Sequence, residues 1–159
     1  NAEAARAGDI VVLTVPADHQ VSTLELVKDS LAGKILIDVT VPLVPPKVGT
    51  VQMPPEGSAG KRAQDFLGEE VRVISAFQNI AAHLLQQDVT IECDVLVTGN
   101  DKESRQRVID MIGEAGMTGW HAGPIANAAA AESLTSILIQ INRSGGISHS
   151  GIKIIGQEH

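Results

Sequence analysis

The chain has 159 residues, of which 43% are hydrophobic and 19% charged, and its formal net charge is −7. This length allows one domain with a substantial core, and the composition is typical of a soluble globular protein. The acidic balance argues against nucleic acid and anionic membranes as non-specific partners. Aromatic residues make up only 2%, so Val, Ile, Leu and Ala must build the core.

The single cysteine, Cys93, excludes an intrachain disulfide and a cysteine-based metal cluster. Its apolar surroundings favour a small core residue, and a reducing cytoplasm fits this cysteine usage. No apolar run reaches the ~18 residues that a membrane span needs. The first residues are polar, unlike a signal peptide. Because the chain starts with Asn1 rather than Met, we expect a fragment or a processed chain.

Strand and helix patterns alternate along the chain. Continuous apolar, β-branched runs predict strands buried on both faces at residues 9–15 and 34–39. Helical spacing predicts a helix between them at residues 21–31, and three prolines from Pro42 to Pro46 predict an irregular loop. The elements predicted further along are a helix at 57–67 with Ser58 as N-cap, a strand at 71–77, a brief helical stretch at 80–85, a strand at 94–98, a helix at 101–115, a strand at 118–122, a helix at 127–142 and a Gly-rich tail at 144–159.

This repetition of strands and helices is typical of βαβ units. It predicts an α/β fold with a Rossmann-like, mostly parallel sheet, in a single domain spanning residues 1–159. A complete dinucleotide-binding fold opens with a strand, a Gly-rich turn and a helix whose N-terminus holds the pyrophosphate. No G-x-G-x-x-G occurs, and residues 57–60 (GSAG) lack the leading strand of a phosphate loop. We therefore expect a sheet that is incomplete at its N-terminal side, with an exposed edge.

Five segments, taken in order, resemble the NADPH:coenzyme F420 oxidoreductases, the deazaflavin-dependent NADP reductases. The segments are GDIVVLTVPADHQVSTLE (8–25), GKILIDVTVPLVPP (33–46), PPEGSAGKRAQDFLGEEVRVISAFQNI (54–80), CDVLVTGND (93–101) and HAGPIANAAAAESLTSILIQINRSGGISHSGIKI (121–154). The resemblance implies hydride transfer between nicotinamide C4 of NADP(H) and C5 of coenzyme F420, with both rings held face to face. It also implies roughly 50 to 60 residues before Asn1, about two strands and a helix. Those residues carry the Gly-rich turn and the Ser-Arg pair for the NADP 2′-phosphate, so we expect the chain alone to hold NADP weakly.

Carried over by position, the resemblance places cofactor contacts where predicted strands end. The residues after the first strand would contact the nicotinamide half, although His19 also fits a solvent-exposed position in a first helical turn. Those after the second strand would flank the ring cleft. The full set at these strand ends is Val15, Pro16, His19, Thr40, Val41, Pro42, Gln78, Asn79 and Ile80.

The last helix and the tail would contribute the other contacts. The resemblance assigns Asn127, Ser133 and Thr135 to the F420 phosphate; the alternative for Ser133 and Thr135 is a hydroxyl bonded to the helix backbone. His149, together with Gly151 and Ile152, matches a family segment near the ring pocket that a dimer partner can contribute.

Two positions depart from the family pattern. Gln78 stands where members often have a histidine, and a glutamine can hydrogen-bond but not titrate. Ala129 stands where members usually have an arginine, which removes a phosphate contact of about 1.5–3 kcal/mol. The leading hypothesis is a cytoplasmic, homodimeric F420:NADP oxidoreductase. The alternatives are a non-catalytic dimerisation or ligand-binding domain derived from one, and a related imine or small-carbonyl reductase, which would need a proton donor that the sequence does not show.

Overall fold

The computed structural model describes residues 1–87 and 89–156, which form a five-stranded sheet in the order β1-β2-β3-β4-β5. The strands are β1 Ile10–Leu13, β2 Ile35–Asp38, β3 Arg72–Ser75, β4 Asp94–Gly99 and β5 Thr118–His121. The pairs β1–β2, β2–β3 and β4–β5 are parallel, whereas β3 and β4 are antiparallel. The predicted mostly parallel α/β sheet is confirmed.

Five α-helices connect or flank the strands: α1 Ala2–Ala7, α2 Gln20–Val27, α3 Ala59–Leu67, α4 Lys102–Glu114 and α5 Ala128–Gly145. The predicted N-cap of α3 is confirmed, because the Ser58 hydroxyl accepts a hydrogen bond of 2.9 Å from the Lys61 amide. The helical stretch predicted at residues 80–85 is wrong in extent. Instead, the chain turns after β3 and forms only a short 3-10 helix at Leu84–Gln86.

Two hydrophobic cores lie on opposite faces of the sheet. In β2, the Leu36 side chain joins the core beneath α1, α2 and α3, whereas Ile35 and Ile37 join the core beneath α4. A strand covered on both faces needs apolar side chains at every position, which explains the continuous apolar runs in the sequence. Within the described residues, no helix combines the length and the apolarity that crossing a bilayer requires.

The two strands predicted at residues 9–15 and 34–39 are neighbours, in parallel register from Ile10 opposite Ile35 to Leu13 opposite Asp38. β2 is an inner strand. Among the described residues β1 pairs with β2 only, so it forms an exposed edge of the sheet, as expected for a sheet that is incomplete at its N-terminal side. The Val12 side chain is accordingly 46% exposed there.

Lys34 closes the carboxyl end of α1. Its Nζ atom donates hydrogen bonds to the carbonyl oxygens of Ala5 (2.7 Å), Arg6 (3.1 Å) and Gly8 (2.8 Å). The positive charge of the ammonium group also interacts favourably with the negative, carboxyl end of the helix dipole. We expect Lys34→Met to lower the free energy of unfolding by about 1–2 kcal/mol, measured by urea denaturation. The matched control is Lys61→Met, which removes an exposed pair with Asp65 and should cost about 0.3–0.5 kcal/mol. Equal losses in the two variants would contradict the capping role.

Candidate functional site

An open and mainly apolar cleft lies where β1, β2 and β3 end. Its volume is about 460 Å³, inside the range of about 300–1,000 Å³ that small-molecule sites occupy. Its wall comes from the strand ends, from the segment after β3 and from α4: Val12, Thr14, Val15, Val39, Val41, Phe77, Gln78, Ile80, Ala82, Leu85 and Met111. Among the described residues of this wall none is charged, so the cleft suits a flat, largely apolar group.

A second hollow, of about 480 Å³, lies at the opposite edge of the sheet. It sits between the carboxyl end of α3 and the start of β3, and charged side chains of both signs line it, among them Asp65, Glu69 and Arg72. Ligands of open α/β sheets bind at the carboxyl ends of the strands. The cleft beyond β1, β2 and β3 is therefore the candidate site.

Phe77 gives the cleft a strained wall. Its φ of 71° lies in the left-handed region, which costs a bulky residue about 1–3 kcal/mol. The conformation is held by a hydrogen bond of 3.1 Å from the Ile80 amide to the Phe77 carbonyl oxygen, and by the anchoring of Gln78 next to it. Strain of this kind concentrates at functional sites, which supports the choice of this cleft.

Asp38 lies behind the cleft, at the end of β2, and is completely buried. Its carboxylate accepts hydrogen bonds from the Thr40 amide (3.0 Å), the Thr40 hydroxyl and the Gln20 side-chain amide. Burial raises the pKa of Asp38, and the hydrogen bonds from Thr40 act against that rise. Thr40 therefore points inward to Asp38, while its neighbour Val41 faces the cleft.

A second buried carboxylate, Glu132 in α5, occupies the N-terminus of α3. Its two oxygens accept hydrogen bonds from the amides of Ala59 (2.7 Å) and Gly60 (2.9 Å), and the residue is only 1% exposed. Burial raises the pKa of Glu132 to about 7; the two amide bonds lower it, and the nearby charge of Asp38 raises it further. A phosphate loop would use these same donors, so the structure agrees with the prediction that residues 57–60 are not one.

Neither carboxylate was among the residues singled out in the sequence. The sequence does contain a signal for both buried carboxylates. Asp38 is the one acidic residue in the apolar run KILIDV, and Glu132 interrupts an apolar, Ala-rich helix. A charged side chain within an apolar segment is stably buried only where other groups of the folded protein form hydrogen bonds with it.

The predicted residues after β1, β2 and β3 come together at this rim. Val15, Val41, Gln78 and Ile80 line the cleft directly. Pro16 and the exposed His19 follow β1 into a 3-10 turn, and Pro42 is half-buried after β2.

Gln78 and Asn79 use their side-chain amides inside the protein. The Gln78 Nε2 atom donates to the Asp38 carbonyl oxygen (2.9 Å) and the Ser75 hydroxyl (2.8 Å). The Asn79 Nδ2 atom donates to the Asp94 carbonyl oxygen (2.9 Å) and to Sγ of the buried Cys93 (3.2 Å). Both residues therefore attach the rim to neighbouring strands, and Gln78 does so at the position that resembles a frequent histidine of the family pattern.

The predicted residues of α5 do not form one site. Thr135 reaches the rim, where its hydroxyl donates to the Gln78 carbonyl oxygen (2.8 Å), whereas the Ser133 hydroxyl bonds the Ala129 carbonyl oxygen (2.6 Å) within its helix. Asn127 donates to the Ala122 carbonyl oxygen (2.8 Å), just after β5. β4 and β5 run opposite to β1–β3, so the end of β5 lies at the edge of the sheet opposite to the cleft. Asn127 therefore lies at that opposite edge, and the distance to Thr135 along the helix axis is about 12 Å.

His149 reaches the rear of the rim from the tail of the same chain. Its Nε2 atom lies 3.0 Å from Nε2 of His83, and it lines a hollow of about 130 Å³ with Gln78, Ile80 and Thr135. A backbone hydrogen bond of 2.9 Å from the Asp94 amide to the Ile152 carbonyl oxygen holds the tail against β4.

Comparison with known proteins extends this picture. The family described as NADP oxidoreductase coenzyme F420-dependent matches residues 1–42. The F420-dependent NADP reductases of Methanocaldococcus jannaschii and Methanothermobacter marburgensis are 34% and 35% identical to this chain, over 99% and 97% of it and over 73% and 71% of their own lengths.

Solved structures agree with the fold. An Arthrobacter sp. FB24 protein, provisionally described as an F420-dependent NADP reductase, superposes with a TM-score of 0.84 at 25% identity, covering 98% of this chain and 72% of its own. An imine reductase from Bacillus cereus superposes with a TM-score of 0.60 at 17% identity, covering 92% of this chain and 45% of its own, which shows a shared fold alone. With more than 30% identity to curated relatives over nearly its whole length, the chain belongs to the F420-dependent NADP reductase family.

Proposed function

We propose that this protein transfers a hydride between NADP(H) and coenzyme F420, an 8-hydroxy-5-deazaflavin. The observation that carries the proposal is the apolar cleft at the joint carboxyl ends of β1, β2 and β3, where α/β sheets bind nucleotide cofactors. The names of the curated relatives, F420-dependent NADP reductase, support the same pair of cofactors.

The cleft fits the ring systems of the two cofactors, since its volume is that of a small-molecule site and its wall is mainly apolar. When bound, the nicotinamide and deazaflavin rings supply the hydride donor and acceptor. The side chains of Val15, Val41, Ile80 and Met111 would pack against flat faces and keep water away. Transfer of a hydride between the rings needs no acid or base from the wall, which agrees with its uncharged lining.

The individual contacts are part of this proposal. Val15, Pro16 and His19 serve the nicotinamide side, Thr40, Val41 and Pro42 flank the cleft, and Gln78, Asn79, Ile80 and His149 lie on the deazaflavin side. Thr135 serves the F420 phosphate. For Asn127 and Ser133, a role at the F420 phosphate stays a prediction, because their present hydrogen bonds lie away from the cleft or within α5.

An absorbance assay tests the function directly. Protein expressed from its complete coding sequence is mixed with NADPH and F420, and the visible absorbance of F420 is followed. We expect bleaching that depends on both the protein and NADPH. Turnover of an imine or a small carbonyl compound, with no rate for F420, would instead move the assignment to another reductase class.

Filling the cleft should weaken cofactor binding. Val41→Trp adds an indole to a wall residue, and we expect the KM for F420 to rise about tenfold, equivalent to about 1.4 kcal/mol. Leu26→Trp is the matched control, because Leu26 is 71% exposed on α2, on the other face of the sheet. Steady-state kinetics of both variants provide the measurement. Unchanged kinetics for Val41→Trp would contradict the proposal that this cleft binds F420.

We further propose a single α/β domain over residues 1–159 that acts as a cytoplasmic homodimer without nucleic-acid partners. The exposed side chains of Ile137, Ile141 and Ile147 on α5 and the following segment support the dimer. The single cysteine suits a reducing compartment, and the net charge of −7 disfavours nucleic acid. Sedimentation equilibrium of the purified protein would test the dimer.

A further inference from the structure

One buried polar cluster joins the strand ends at the cleft to the helices behind them. We define this cluster as Gln20, Asp38, Thr40, Gln78 and Glu132, all of which are nearly or fully buried. They come from α2, the end of β2, the loops after β2 and β3, and α5. In the described part of the chain, no buried side-chain nitrogen or oxygen lacks a hydrogen-bond partner, so the cluster is internally satisfied and defines one arrangement.

Glu132 attaches α5 to the start of α3. Its two carboxylate oxygens each accept one amide hydrogen bond, from Ala59 and from Gly60. Because α5 is a continuous helix, this attachment also fixes where Thr135 lies, one turn further along. The Thr135 hydroxyl then holds the Gln78 carbonyl oxygen at 2.8 Å, and Gln78 lines the cleft.

The same attachment reaches the ends of β1 and β2. The Gln20 side-chain amide donates to both Asp38 and the Ala59 carbonyl oxygen (2.9 Å), so α2 is tied to the start of α3. Arg62 holds the other end of the Gln20 side chain, with 2.6 Å between Nε and Oε1. A displacement of α3 relative to α5 would therefore act on the end of β2, on the segment after β3 and on α2, which follows β1.

We propose that Glu132 is a positioning residue for hydride transfer: its ionised carboxylate clamps α5 to α3 and thereby sets the spacing of the cleft walls. This inference rests on the proposed function, because the rate of hydride transfer between NADPH and F420 is the quantity that the test measures. Small errors in the distance between reacting rings have large effects on rate.

The clamp requires the ionised form. A carboxylate offers an acceptor to each amide, whereas a protonated carboxyl turns one oxygen into a hydroxyl whose hydrogen faces a second donor. The charged groups that face Glu132 are Asp38 from β2 and Arg62 from α3, of opposite sign, while Gln20 from α2 is neutral. With a pKa of about 7, Glu132 passes from the protonated to the clamping form around neutral pH.

The test compares the wild type with Glu132→Gln, which places an amide donor where the protonated acid has its hydroxyl. At pH 8 we expect kcat for F420 reduction about tenfold lower in Glu132→Gln, and at pH 6, where about one-tenth of Glu132 is ionised, the ratio of the two rates should fall to about two. Glu114→Gln, at the exposed end of α4, should follow the wild type at both values. A ratio that is large but independent of pH would indicate a merely structural role and overturn the inference.

A second readout does not depend on turnover. In ¹⁵N-correlated NMR spectra, the amides of Ala59 and Gly60 and the side-chain amide of Gln78 should shift with a common midpoint near pH 7 in the wild type, and not in Glu132→Gln. The absence of this titration from an active wild type overturns the inference and leaves the proposed function standing. A wild type that shows the titration but does not reduce F420 overturns the proposed function and, with it, the positioning role.

Discussion

Replacement of Gly60 by valine should lower the free energy of unfolding by about 3 kcal/mol. Gly60 lies in the first turn of α3, where the helix presses directly on β3. A Cβ atom at this position would lie 2.8 Å from Cβ of Ser75 and 3.3 Å from Cδ1 of Ile125. The Cβ atom of Ser75 is attached directly to the backbone of β3 and cannot rotate away, so α3 itself has to move. That movement also stretches the hydrogen bond of 2.9 Å from the Gly60 amide to Glu132.

The matched control is a glycine in another helix. Gly113 in α4 is exposed, and nothing lies within 4 Å of a Cβ built there. Gly113→Ala should therefore raise the free energy of unfolding by about 0.5–1 kcal/mol through helix propensity. Urea denaturation of both variants provides the comparison. A Gly60→Val protein as stable as the wild type would show that α3 does not approach β3 this closely.

The strands were predictable because their signal is local. The runs at residues 9–15 and 34–39 consist mainly of consecutive apolar residues, a pattern typical of a strand covered on both faces. The antiparallel pairing of β3 with β4 has no such signal. It depends on the path of the chain between Ser75 and Asp94, a segment that neither β-propensity nor periodicity constrains.

That reversal explains why the candidate site was only partly predictable. Residues that follow β1, β2 and β3 were expected at one rim and lie there, because parallel strands end at the same edge. Asn127 follows β5, whose direction is reversed, and so lies at the other edge although it is close to Thr135 in sequence. Glu132 was missed because its partners, Ala59 and Gly60, are 73 and 72 residues away. Its apolar neighbours in the sequence indicate burial but do not identify the groups with which the carboxylate pairs.

The second large effect concerns pH: the free energy of unfolding should fall by about 3 kcal/mol, through Glu132, as the pH rises from 4.5 to above 7. The folded state raises the pKa of Glu132 from 4.5 to about 7, so it binds the proton more tightly than the unfolded chain. The resulting stability is fully present below pH 4.5 and is lost as the pH rises through 7. Burial raises the pKa of Asp38 as well, and its contribution has the same sign.

Urea denaturation of the wild type and Glu132→Gln at pH 5 and pH 8 isolates this contribution, since the glutamine does not titrate. The wild type should lose about 2.5 kcal/mol relative to the variant over this interval, and Glu114→Gln should behave as the wild type does. Parallel pH profiles of wild type and Glu132→Gln would contradict the assignment.

Stability and catalysis should then respond to pH in opposite directions through the same carboxyl group. The ionised form of Glu132 accepts both amide hydrogen bonds of α3 and holds the cleft walls in register, yet its buried charge lies close to Asp38 and costs folding free energy. Selection for stability alone would disfavour a group that becomes charged here, because a buried charge costs solvation free energy. Glu132 lowers the stability of the protein above pH 7. The presence of a carboxylate at this position is therefore explained by its effect on the position of the cleft walls and not by its effect on the free energy of unfolding. Between pH 5 and pH 8, Glu132→Gln should therefore keep stability that the wild type loses, and at pH 8 it should be the slower enzyme; a slower variant whose stability falls with pH as the wild type's does would contradict this account.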